Sequence, residues 1–61
     1  MNGNAIIKKL KAAGWELNRV CGSHHIMVKG KKTVPVPVHG SRDVGKGLLA
    51  KIEKQTGVNL K

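Results

Sequence analysis

The side chains in this sequence best suited to chemistry are Cys21, His24, His25 and His39, three of them packed into the run Cys21-Gly22-Ser23-His24-His25. Three kinds of chemistry come into question. A zinc site needs three or four ligands. Consecutive residues of a strand point to opposite faces, so His24 and His25 cannot both reach one ion, and the chain has only three Asp and Glu to help. No metal and no other cofactor is expected. A cysteine nucleophile needs an orienting partner and a substrate pocket, and nothing around Cys21 supplies either, so it reads as a small turn residue. Proton transfer by histidine on RNA asks for less. RNA carries its own nucleophile, the 2′-OH, and an imidazole that titrates near neutral pH can take that proton. Cations must then stabilise the charge that builds on phosphorus.

The cations are abundant. Twelve Lys and Arg stand against three Asp and Glu, a formal charge of +9 on 61 residues. Small soluble domains are served by a net charge of roughly 2–8, and the excess repels itself unless a polyanion relieves it. Nucleic acid is the expected partner. The candidates for phosphate contact are Lys8, Lys9, Lys11, Arg19, Lys29, Lys31, Lys32 and Lys46. A membrane is disfavoured, because no long stretch combines a basic face with Trp, Phe and Leu at helical spacing. A single cysteine excludes an intrachain disulfide, and Gly3, Asn4, Lys8 and Lys9 interrupt any signal-peptide hydrophobic run near the N-terminus. The cytoplasm is the expected location.

These residues need a scaffold, and 61 residues provide one domain, 1–61. Ile6, Leu10 and Ala13, broadened by Ile7, form an apolar stripe that predicts a helix over Asn4–Ala13, capped by Asn2 or Asn4 and ended by Gly14. From Trp15 the period becomes two. Strands are predicted over Trp15–Val20, His24–Lys29 and Thr33–Val38, joined by turns at Cys21-Gly22-Ser23 and Gly30-Lys31-Lys32. Pro35 and Pro37 would both present their missing N–H on one side, which marks the third strand as an edge. After a polar loop, His39–Gly45, a second helix is predicted from Val44–Lys46 to Thr56, ended by Gly57, with Val44, Leu48 and Ile52 in a stripe beside Leu49. Val58 and Leu60 would fold back. The expected fold class is α+β: an α-β-β-β-α chain with a three-stranded antiparallel sheet and two helices on one face. The helices would cover Trp15, Leu17, Ile26, Val28, Val34 and Val36, leaving His25 and Met27 outside. This is the plan of a double-stranded-RNA-binding domain.

Three blocks carry a more specific likeness. Gly22-Ser23-His24-His25-Ile26 after Trp15-Glu16-Leu17, then Thr33-Val34-Pro35-Val36-Pro37-Val38-His39, then Gly47-Leu48-Leu49-Ala50-Lys51-Ile52 leading to Gln55-Thr56-Gly57, resemble the HicA toxin family in order and across essentially the whole chain. The resemblance implies a ribosome-independent mRNA interferase that a cognate HicB antitoxin neutralises by covering its active site. It also implies a catalytic histidine after Gly-Ser, which maps onto His24, with His25 as second choice. Gly22 would let the turn approach a phosphate, and Ser23 would donate a hydrogen bond to it. Many members carry a His-Pro-Asp-Gly-like turn where this chain has Val28-Lys29-Gly30-Lys31, so a second histidine there is missing. His39 is expected to pack against the second helix. The rival reading is a double-stranded-RNA-binding module without catalysis, which leaves the Gly-Ser-His-His run unexplained.

Overall fold

The apolar stripe near the N-terminus forms helix α1, Gly3–Ala12, in a computed structural model that describes residues 1–60. Asn2 is its cap: the Asn2 Oδ1 accepts from the Ala5 N–H at 2.9 Å and satisfies a first-turn donor. Ile6, Ile7 and Leu10 are buried and Ala13 packs beside them, as the spacing predicts. Gly14, at φ +96°, then turns the chain into the sheet.

Strands β1 (Glu16–Cys21), β2 (His24–Lys29) and β3 (Lys32–Pro37) form an antiparallel meander in the order β1-β2-β3. Helix α2 follows at Lys46–Thr56 and stops at Gly57, whose left-handed φ of 71° lets its N–H donate to the Glu53 carbonyl at 2.8 Å. Ile6, Leu10 and Ile52 from the helices meet Trp15, Met27, Val34 and Val36 in one core, and Leu60 closes it from the C-terminal segment. The predicted plan, with both helices on one face of the sheet, is the observed one.

Each hairpin turns on two residues, Gly22-Ser23 and Gly30-Lys31, since Cys21 pairs with His24 and Lys29 with Lys32. Both glycines take φ +60° and no other residue type has positive φ, a turn whose twist matches that of the strands. No atom lies within 4 Å of a Cβ built on Gly22. The cost of Gly22→Ala is therefore backbone strain alone. It is expected to lower the unfolding free energy by about 1–2 kcal/mol, read from the urea midpoint.

The turns are one residue shorter than predicted, and that reverses the faces of β2. Directly opposed residues share a face. Met27 pairs with Val34 and His25 with Val36, so both lie on the helix-bearing face, and Met27 is fully buried. Ile26 and Val28, expected in the core, sit half-buried on the uncovered face. Leu17 also departs from expectation at 40% exposed. It flanks an irregularity between Leu17 and Arg19, where Asn18 has no partner and the strand bulges away from its regular course. In α2, Leu48 is likewise 40% exposed, and Ile52 and Leu49 carry the contact instead. Among the described residues no helix is long and apolar enough to cross a membrane.

Candidate nucleic-acid interface and active site

The two adjacent histidines stand on opposite faces of the sheet. His24, opposite Cys21 and Pro37, is exposed on the uncovered face. His25, opposite Val20 and Val36, is half-buried on the helix-bearing face. Its Nδ1 is closed off from solvent and has no hydrogen-bond partner, whereas Nε2 is not closed off in this way. A buried polar atom without a partner is costly, and such atoms in folded proteins call for a reason. Held between two valines with one nitrogen facing inward, the ring is more constrained than that of His24.

Charge separates the faces further. Of the charged side chains in the strands, Glu16 and Arg19 lie on the uncovered face with opposite signs, while Lys29 and Lys32 lie on the other. The two helices packed on that side add the exposed Lys8, Lys9 and Lys11 of α1 and Lys46, Lys51 and Lys54 of α2 against the single acid Glu53. His25 is thus the ring on the cationic side. Lys29, Lys31 and Lys32 belong to the opposite end of the sheet; Lys29, four residues along β2 from His25, is about 13 Å away at the rise of a strand. The Lys29 Nζ donates to the Ala13 carbonyl at 2.9 Å and helps close the C-terminus of α1.

Two helix N-termini meet at the histidine end. A Cβ on Gly3 would strike the Pro37 carbonyl and Val38, so α1 begins against the end of β3. The Val38 N–H donates to the Ser23 carbonyl at 2.7 Å, which ties that end to the Gly22-Ser23 turn. The Val44 N–H donates to the Met1 carbonyl at 2.8 Å, and the N-terminal amine lies 3.4 Å from Asp43. These contacts bring the start of α2 to the same region. Each helix N-terminus carries the positive end of its dipole. That of α1 is occupied by Asn2, but α2 begins at Gly45 with no side-chain cap and no acidic residue in its first turn. Its first N–H groups, with Lys46 beside them, are open to an anion.

The sequence named Gly22, Ser23, the histidines and Lys46 as site residues, and the fold brings these to one end. It brings Arg19, opposite Ile26, to that end too, but on the uncovered face with His24. It does not bring Lys29, Lys31 or Lys32 there, nor Lys11 at the C-terminal end of α1, which Lys29 closes. The uncapped start of α2 escaped the sequence reading, although Gly45-Lys46-Gly47, with no Ser, Thr, Asp or Asn directly before it, was a visible sign. His39, expected to pack against α2, is exposed in a turn where its carbonyl accepts from the Arg42 N–H at 3.1 Å. No cavity opens among the described residues, and no three His, Cys, Asp or Glu side chains come together there.

The model of a family described as HicA toxin of bacterial toxin-antitoxin matches residues 3–58. The chain belongs to the HicA toxin family. A HicA relative from Pseudomonas fluorescens (strain Pf0-1), named a probable mRNA interferase HicA, is 44% identical over 50 residues, which span 80% of this chain and 82% of the relative. No solved structure matches the chain. The match to the HicA family runs from the first helix through both turns to the segment after α2, so all parts of the site lie inside it.

Proposed function

We propose that the chain is a metal-independent endoribonuclease, the toxin of a toxin–antitoxin pair, which cleaves mRNA in the cytoplasm with His25 moving the proton. Family membership and the relative's name support the class of activity. The observation that carries the assignment of the residue is the position of half-buried His25 on the lysine-bearing face, its Nδ1 closed off and unpartnered, at the end where both helices begin. The sequence pattern pointed first to His24. Its ring lies instead on the uncovered face, where the strands supply one cation, Arg19, and one anion, Glu16.

In this reading an RNA phosphate rests at the N-terminus of α2 with Lys46, and the Gly22-Ser23 turn lies alongside the ribose. The His25 imidazole takes the 2′-OH proton. O2′ attacks phosphorus, the P–O5′ bond breaks, and the 5′-oxygen leaves with a proton from water or a lysine ammonium. Lys46 and the helix dipole stabilise the extra negative charge on the phosphorane. An antitoxin of the HicB type, with acidic groups complementary to the lysines, holds the toxin inactive.

The test is the chemistry of the ends. Purified protein with a synthetic RNA is expected to yield a 2′,3′-cyclic phosphate and a 5′-hydroxyl, and to do so undiminished in EDTA. Fragments with 3′-hydroxyl and 5′-phosphate ends, or cutting abolished by chelator, would refute the mechanism.

A further inference from the structure

The sheet has two edges, and they are built differently. In the Gly22-Ser23 hairpin the closing pair Cys21 and His24 exchanges backbone hydrogen bonds, and bonded and non-bonded pairs alternate from there. The same alternation, started from Lys29 and Lys32, turns the nitrogens of Pro35 and Pro37 toward the outer edge of β3. That edge offers no donor at either position and resists an added strand. On β1 the alternation, shifted by the bulge at Asn18, turns the peptide groups of Leu17 and Val20 outward instead. No proline blocks them.

The side chains of those two residues are also uncovered. Leu17 is 40% and Val20 54% exposed, and with Leu48 they are the large hydrophobics left open among the described residues. Both point to the helix-bearing side, being opposite Met27 and His25. A strand laid along β1 would therefore gain backbone hydrogen bonds and apolar contacts at the same two positions, the way extended segments add to open sheet edges.

Charge selects the occupant. A second copy of the chain would bring another +9 to the same edge, and repulsion of that size opposes self-pairing. Nucleic acid has no peptide ladder to offer. We propose that the β1 edge is the docking site of an extended, acidic segment of the antitoxin, with apolar residues alternating so as to cover Leu17 and Val20. This rests on the toxin–antitoxin reading and locates the partner's grip beside His25, whose cross-strand neighbour is Val20. The bulge at Asn18 limits the regular pairing and sets its register.

Hydrogen–deuterium exchange on the chain, free and in complex with its cognate HicB-type antitoxin, reads the edge directly. The amides of Leu17 and Val20 are expected to exchange freely in the isolated chain and to become protected in the complex, while the β3 edge at Thr33 stays unchanged. Val20→Pro removes one outward N–H without touching the β1–β2 ladder, reproducing on β1 what Pro35 does on β3. With its circular dichroism spectrum unchanged, it is expected to bind the antitoxin about tenfold more weakly, roughly the worth of one hydrogen bond. Val20→Thr, which keeps the N–H and the branched shape, should retain the protection pattern. A complex that blocks RNA cleavage yet leaves the Leu17 and Val20 amides exchanging as in the free chain would overturn the edge site and leave the toxin reading standing. Absence of any complex would sink both, and loss of cleavage alone would not touch the exchange result.

Discussion

Replacing His25 with alanine is expected to slow RNA cleavage by about 10²–10⁴-fold, the span that a single general acid or base contributes, whereas His24→Ala should cleave at close to the parent rate. The two variants differ by one position in the chain and by a whole face of the sheet. His25→Ala removes a ring whose Nδ1 is buried without a partner, so no hydrogen bond is lost from the fold and the circular dichroism spectrum should be that of the parent. The comparison is best made at saturating RNA, because the lysines and the start of α2 remain in both variants and binding should persist. A loss confined to His24→Ala would reinstate the position favoured by the sequence pattern and refute the argument from the cationic face. Full activity in both would leave only a surface that grips RNA.

That contrast also marks where the sequence speaks clearly and where it does not. The helices were readable because their stripes stop at clear ends, Gly14 for α1 and Gly57 for α2, while the start of α1 stayed open between Asn2 and Asn4 until the Asn2 cap settled it. The edge character of β3 was readable because proline cannot donate. The faces of β2 were not, because Ile26, Met27 and Val28 are apolar in succession and alternation says nothing about which of them turns inward. A one-residue error in the turns then moved every side chain of the strand to the other face. The sequence did contain the remedy: a two-residue Gly30-Lys31 turn pairs Lys29 with Lys32, which forces Met27 opposite Val34, and Pro35 and Pro37 had already placed Val34 on the core side. The bulge at Asn18 has no comparable sign; it turns Leu17 to the side of Met27, and Leu17 stays open because β1 is an edge strand exposed along its whole length.

Within the fold, the largest effect on stability from a small change is expected at Gly3. A Cβ there would collide with the Pro37 carbonyl oxygen and lie 2.7 Å from the Val38 Cγ2 and 3.0 Å from its Cα. Two of these three obstacles are backbone atoms, and the third belongs to a branched side chain with few alternative rotamers. None can move aside cheaply, so Gly3→Ala must lift the start of α1 off β3. The expected cost is about 2–3 kcal/mol, at the upper end for overpacking, or roughly a 10 °C or greater fall in Tm for a domain of this size. Gly47→Ala is the matched control, a glycine inside α2 with open space around it, and it should raise stability by about 0.5–1 kcal/mol. The two substitutions add the same methyl group to a helix and should act with opposite sign. Gly3 further bears on function, because Val38 donates to the Ser23 carbonyl at 2.7 Å and so passes any displacement of α1 to the turn that leads into His25. Gly3→Ala is therefore expected to lose more cleavage, at a temperature where it remains folded, than its stability alone accounts for. Equal specific activity in folded Gly3→Ala and the parent would mean that the first helix anchors the sheet without positioning the catalytic end.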